Sequence, residues 1–159
     1  ASGNPVPNVS VSFRVDSVSY QKGRYVEVDD GEGGTTLRPA YRAEPQDGFF
    51  GCLNEDVNRN GILEMGEDFN GNGRLDPGNA ASVQPTISTD PNGQANVTVR
   101  YAQDFANWVR VTLSATAAVG GTEATESRTF TLPIARDDLE DPPGFVSPFG
   151  ESNACADPA

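Results

Sequence analysis

Apolar and polar residues alternate along most of this chain, and that period of two limits the possible folds more than any other feature of the sequence. Residues 6–15 alternate, as expected for a strand with one buried face. The alternation recurs over residues 83–89, 95–101, 108–119 and 122–134. Because no stretch has the period of an amphipathic helix, the sequence predicts an all-β protein.

Turn residues separate these strands. Asp90-Pro91-Asn92-Gly93 predicts a hairpin between residues 83–89 and 95–101. Gly120-Gly121 predicts a second hairpin between the two segments that flank it. Short strands joined by such turns favour an antiparallel β-sandwich over residues 1–136. Further strands are predicted at residues 24–28 and 35–43, with Pro39 marking an edge or a bend in the latter.

The charge balance limits the partners. The chain has 23 acidic residues against 11 basic ones, a formal net charge of −12, which repels phosphate backbones and anionic lipid. No stretch approaches the roughly 20 apolar residues that span a bilayer. We therefore expect no nucleic-acid partner and no direct membrane insertion.

The chain contains no histidine, which is the commonest general base and a frequent zinc ligand. The enzyme class left open is a glycoside hydrolase with paired carboxylates such as Asp137 and Glu140. Those residues lie in an acidic, proline-flanked segment without the apolar surroundings that raise a carboxyl pKa. We therefore expect a protein that is not an enzyme.

Cys52 and Cys155 are the two cysteines, and they form no C-x-x-C pair. A structural disulfide made in an oxidising compartment is the simplest interpretation. It would attach residues 137–159, which are acidic and rich in proline and predict an extended tail, to the segment that begins at Cys52. The alternative is a free tail.

Residues 52–79 are dense in Asn, Asp, Glu and Gly, and we interpret them as a loop inserted into the sandwich. Within this loop, residues 56–67 fit the twelve-position calcium loop, with oxygen-bearing side chains at positions 1, 3, 5 and 9 and a glycine at position 6. A glutamate that can bind through both oxygens stands at position 12. The predicted Ca²⁺ ligands are Asp56, Asn58, Asn60, Ile62 through its carbonyl, Glu64 and Glu67.

Residues 68–79 repeat the pattern at a period of twelve. Position 12 is now Asn79, which cannot clamp a hard cation with two oxygens. The second site is therefore expected to be weaker or to borrow a carboxylate from Asp47, Glu55 or Glu67. Because residues 55–79 carry six acidic residues against two arginines, their ordering is expected to depend on Ca²⁺. The alternative is a disordered acidic loop. The predicted ligands are Asp68, Asn70, Asn72, Arg74 through its carbonyl, Asp76 and Asn79.

The two loops resemble those of EF-hands, but they abut and leave no room for the helices that flank each loop of an EF-hand pair. They are more similar to the calcium loops of dockerin-like and thrombospondin type 3 repeats. That resemblance implies an extracellular protein in which the ion is a structural clamp.

Three further stretches resemble, in the same order, bacterial Ig-like domains of the invasin and intimin type. They are residues 2–13, with the motif Gly3-Asn4-Pro5-Val6-Pro7, residues 89–99 and residues 109–116. The resemblance implies an Ig-like fold in a bacterial surface protein. In that family about two strands precede the Gly-Asn-Pro-Val-Pro stretch, so the opening strands are expected to come from another copy of the chain or from an adjacent Ig-like repeat.

These features favour a structural module of an extracellular bacterial fibre or surface protein, assembled head to tail through strand complementation. The alternative is an adhesive module that recognises a surface glycan or a cell-surface protein. Its candidate contacts are Tyr20, Tyr25, Tyr41 and Trp108, although aromatic residues on strands more often pack in the core.

Overall fold

The computed structural model describes residues 4–42, 51–139 and 144–158. These residues are all-β, as predicted, and their helical elements are limited to the 3₁₀ turns Gln103–Phe105 and Asp137–Leu139. No helix within these ranges has the length and apolar character needed to cross a membrane. The strands are β1 (Ser10–Tyr20), β2 (Gly23–Asp29), β3 (Thr35–Tyr41), β4 (Cys52–Leu53), β5 (Ala81–Ser82), β6 (Thr86–Ser88), β7 (Arg100–Tyr101), β8 (Val109–Val119) and β9 (Thr122–Thr131).

The largest sheet is antiparallel and centres on β1. Its order is β4-β1-β8-β9, and β6 pairs with the start of β1. The β1–β8 ladder runs from Val11 opposite Ala117 to Tyr20 opposite Val109, with a bulge between Ser17 and Ser19. The predicted hairpin of β8 and β9 is confirmed, with continuous pairing up to the Gly120-Gly121 turn.

Two small sheets complete the strands. β2 and β3 pair from Gly23 opposite Tyr41 to Asp29 opposite Thr35, and β5 pairs with β7. Pro39 lies opposite Tyr25 in this two-stranded sheet, where a residue without an N–H can face away from the partner strand. The predicted strand over 35–43 thus ends at Tyr41, and residue 43 lies outside the described residues.

The other predicted hairpin forms only at its two ends, where β5 pairs with β7 and the Asp90 N–H donates to the Gln94 carbonyl at 2.8 Å. Its turn forms, because the Gly93 N–H donates to the Asp90 carbonyl at 2.9 Å. However, β6 pairs with β1, and residues 94–99 pair with none of the described strands. The turn residues determine where the chain reverses direction. They do not determine the pairing of β6, which pairs with β1 because β1 is a long strand with a free edge.

The core lies at the end of β1 where Tyr20 packs. The Tyr25 and Trp108 rings meet edge to face at 5.2 Å, and Tyr20 contacts Phe149 at 4.6 Å between ring centroids. Tyr20, Tyr25 and Trp108 are buried, which explains them as packing residues. Tyr41 is 41% exposed and lies edge-on to Trp108.

The tail is part of this core. Cys52 and Cys155 form the predicted disulfide, with Cα atoms 5.4 Å apart, so the free-tail alternative is wrong. Phe149 is 2% exposed, and the Ser147 N–H donates to the Gly23 carbonyl at 2.9 Å. The C-terminal segment therefore packs against β2 and the end of β1.

Candidate metal centre

The inserted loop leaves and rejoins the sheet at one point, the bulge of β1. The Asn54 N–H donates to the Val18 carbonyl at 3.1 Å, and its side-chain amide donates to the Ser17 carbonyl at 2.8 Å. At the other end, the Ala80 N–H donates to the Ser17 hydroxyl at 3.1 Å. Fixing both ends reduces the entropy that the loop loses when it orders.

In the first loop, backbone N–H groups further along the chain hold the predicted side-chain ligands. The Asp56 carboxylate accepts from the N–H groups of Asn60 (3.0 Å) and Gly61 (2.9 Å). The Asn58 and Asn60 side-chain oxygens accept from the N–H two residues later, at 3.0 and 2.7 Å. Each such oxygen has a second lone pair, so it can also bind a cation.

Glu67 closes the first loop. One of its oxygens accepts from the Val57 N–H and the other from the Glu64 N–H, both at 3.1 Å. The Glu64 carboxylate in turn accepts from the Asn58 side-chain amide. The carboxylate at position 12 therefore joins positions 2 and 9 of the loop.

The second loop repeats this arrangement. Asp68 accepts from the N–H groups of Asn72 and Gly73, both at 3.0 Å. The Asn70 and Asn72 side-chain oxygens again accept from the N–H two residues later, each at 3.0 Å. Position 6 is left-handed in both loops, with φ of 73° at Gly61 and 80° at Gly73, which is why glycine is needed there.

Glu55 closes the second loop in the way that Glu67 closes the first. Its two oxygens accept from the N–H groups of Asn70 (3.1 Å) and Asp76 (2.9 Å), the latter again at position 9. Glu55 is 1% exposed, whereas Asn79 is exposed. Of the other two carboxylates predicted as possible ligands of the second site, Glu67 bridges residues of the first loop and Asp47 lies outside the described residues.

The loops bury negative charge with little compensation. Glu55, Asp56, Glu67 and Asp76 are all buried. In the described chain, Asp76 is the one member of this set with an ion-pair partner, Arg74 at 3.7 Å. Burial raises the pKa of Glu55 despite the two N–H groups that favour its charged form. Buried carboxylates without a countercharge are costly.

The oxygen atoms of the two loops are of the types that a hard cation such as Ca²⁺ binds. Each predicted set combines carboxylates with Asn amide oxygens and one carbonyl, and Ca²⁺ takes six to eight such oxygens. The carbonyl oxygens of Ile62 and Arg74 accept no hydrogen bond from the described residues. However, no group of three or more His, Cys, Asp or Glu side chains within the described ranges is placed to hold a metal ion.

Sequence reasoning missed Lys22, which ties the tail to the sheet next to this loop. Its side chain is fully buried, and the ammonium donates to the carbonyls of Ala154 (3.2 Å) and Asp157. Burial lowers the pKa of Lys22, and the nearby carboxylates of Asp157, Asp76 and Glu55 oppose that shift. No spacing or motif in the sequence marks this lysine.

Of the carboxylate pair considered for an enzyme, one member, Asp137, lies among the described residues. Asp137 begins the second 3₁₀ turn, and Glu140 lies outside the described ranges. No family model, curated protein or solved structure matches the chain.

Proposed function

We propose that the chain is a structural, calcium-rigidified Ig-like β-sandwich module of an extracellular bacterial fibre or surface protein. The observation that carries this proposal is the repeated hydrogen-bond scheme of the two twelve-residue loops. In each loop the side-chain oxygens at positions 1, 3 and 5 accept from backbone N–H groups at equivalent positions. In each loop a buried glutamate also accepts from the N–H at position 9.

Charge supports the same proposal. Two Ca²⁺ ions would supply countercharge to the buried carboxylates, of which Asp76 alone has an ion-pair partner among the described residues. Glu67 would be the two-oxygen ligand of the first ion and Glu55 that of the second. The disulfide, which forms in oxidising compartments, is compatible with an extracellular location, where Ca²⁺ serves as a constitutive clamp.

The test is a thermal melt of the non-reduced protein with Ca²⁺ and with excess EGTA, together with calorimetric titration of the metal-free protein. We expect chelation to lower the melting temperature and the titration to find two ions. Glu126→Gln, which removes one charge from the exposed strand β9, is the control and should bind Ca²⁺ as the unmodified chain does. A melting temperature that is insensitive to EGTA would contradict the proposal.

A second candidate function is an adhesive module. It is favoured by a groove of about 780 Å³ beside the β2–β3 sheet. Leu37 and Phe145 give this groove apolar surface, and charged side chains of both signs, including Glu27, Arg38 and Arg136, surround it. Such a surface suits a glycan or a peptide. A glycan array probed with the calcium-loaded protein tests this function, and Arg38→Ala should weaken any binding found.

A further inference from the structure

Lys22 is the single lysine of the chain, since the other ten basic residues are arginines. Its side chain is fully buried between β1 and β2. A buried ammonium needs acceptors, and this one donates to the carbonyls of Ala154 and Asp157, on either side of Cys155. It forms no ion pair with a carboxylate of the described residues. Lys22 therefore takes its acceptors from the tail.

Residues 151–158 of the tail have few other links to the rest of the described chain. The strongest is the disulfide at Cys155, and a second is the ion pair between Glu151 and Arg24 at 3.5 Å, which is exposed and so stabilises little. The backbone hydrogen bonds of this stretch to described residues lie within the stretch itself. Opening the disulfide would therefore free residues 151–158, and Lys22 would lose both of its acceptors.

The second loop is also close to Lys22. The carboxylates of Asp76 and Glu55 favour the charged form of Lys22, against the burial that lowers its pKa. Glu55 is held near the end of β1 because Cys52, three residues earlier, pairs with Tyr20. The Glu55 N–H also donates to the Asp76 carbonyl at 2.9 Å. An ammonium released by the tail thus has two buried carboxylates as neighbouring acceptors.

We propose that Lys22 controls the Ca²⁺ affinity of the second loop, and that the docked tail keeps it from competing for Glu55 and Asp76. The inference rests on the proposed calcium function. With the tail docked, the ammonium bonds to tail carbonyls and leaves both carboxylates to the ion. With the tail released, the ammonium turns to the carboxylates, and a cation tethered to the chain competes with Ca²⁺. The first loop is closed by Glu67 instead, so its affinity should not depend on the tail.

Calorimetric titration of Ca²⁺ with the disulfide closed and open tests this coupling. Dithiothreitol opens the bond: the disulfide takes up two electrons and two protons to give two thiols, and the reagent becomes a cyclic disulfide. Opening should raise the Kd of the second loop about 10-fold. Glu55→Gln, which keeps only the first loop, is the control, and its Kd should not respond to opening. An unchanged Kd for the second loop overturns the inference.

Lys22→Met distinguishes competition by the ammonium from a general loss of structure. Without the ammonium, opening the disulfide should leave the Kd of the second loop within about twofold of its value in the closed chain. An effect of opening that persists in this variant would place the coupling in the backbone between Cys52 and Glu55 and overturn the inference.

A milder variant covers the case in which the opened chain unfolds. The Ser152 hydroxyl donates to the Asp157 carboxylate and accepts from the Ala154 N–H, so it shapes the turn that presents both carbonyls to Lys22. Ser152→Ala loosens this turn with the disulfide closed and should raise the Kd of the second loop by at least about twofold. An unchanged Kd in this variant also overturns the inference.

Labelling of Lys22 by an amine-reactive ester, read by peptide mass, gives a readout other than affinity. Coupling between ion and tail is reciprocal, so Ca²⁺ should slow the labelling of the opened chain about 10-fold by favouring the docked tail. Labelling that does not respond to Ca²⁺ in a chain that binds two ions overturns the inference and leaves the calcium clamp standing. A chain in which titration finds no second ion overturns the inference together with the second calcium site.

Discussion

Replacing Glu55 with glutamine should abolish the Ca²⁺ binding that we propose for the second loop and leave the binding proposed for the first loop in place. Glu55 bridges Asn70 and Asp76 of the second loop and makes no contact of this kind with the first loop. The variant keeps the shape of the side chain but loses one charged oxygen. Glu67→Gln is the matched change in the first loop, where Val57 and Glu64 donate to the carboxylate.

The expected magnitude follows from linkage. At a free Ca²⁺ concentration about 100 times the dissociation constant, one bound ion stabilises the folded state by about 2.7 kcal/mol. For a chain of 159 residues, that corresponds to a melting temperature lower by about 5 to 11 °C when one ion is lost. Calorimetric titration should count one ion in each variant. A count of two in Glu55→Gln would refute the assignment of Glu55.

The metal-free state gives a second readout. Because burial raises the pKa of Glu55, the folded state binds this proton more tightly than the unfolded state does. The contribution of Glu55 to stability in EGTA should therefore fall as the pH rises from its ordinary pKa through the raised one. Glu55→Gln should lose this pH dependence and should cost less stability in EGTA than in Ca²⁺. An equal cost in both conditions would mean that Glu55 has a packing role only.

Three further predictions concern stability. Replacing Cys52 and Cys155 together with serine should lower the free energy of unfolding by about 4 to 5 kcal/mol in the loop-entropy model for a separation of 103 residues, as measured by urea denaturation. Lys22→Met removes two hydrogen bonds from a buried cation and should lower the free energy of unfolding by about 1 to 3 kcal/mol in the same assay. A more stable variant would contradict the role of Lys22 in holding the tail. Gly23→Ala should cost about 3 kcal/mol or more, because its Cβ would lie 2.1 Å from a β3 carbonyl oxygen at φ +146°, whereas Gly31→Ala, with open space around it, should cost about 1 kcal/mol.

Local pattern was sufficient to predict the features that depend on neighbouring residues. The β8–β9 hairpin follows from alternation on either side of Gly120-Gly121, and the turn at Asp90 forms as predicted. The twelve-residue repeat also predicts the two loops, because the side-chain oxygens at positions 1, 3 and 5 accept from N–H groups only two to five residues away. Hydrogen bonds between residues this close in the sequence can be predicted from the residue spacing.

Contacts between distant residues could not be predicted in the same way. The pairing of β6 with β1 depends on which strand edge is free after folding, and no turn residue carries that information. No motif in the sequence marks Lys22 or Phe149, yet both are buried where the tail packs against β2. For the second loop, the sequence offered three equivalent carboxylates, and among the described residues it is Glu55 that bridges Asn70 and Asp76.

The position of the disulfide has a consequence for proteolysis. Cys52 begins the inserted loop and Cys155 lies near the end of the chain, so the bond encloses the loop, β5 to β9 and most of the tail. A single cut by a protease anywhere within that span leaves both fragments covalently joined. A chain nicked within that span would therefore remain in one piece, whereas a cut before Cys52 could separate β1, β2 or β3 from the disulfide-linked part.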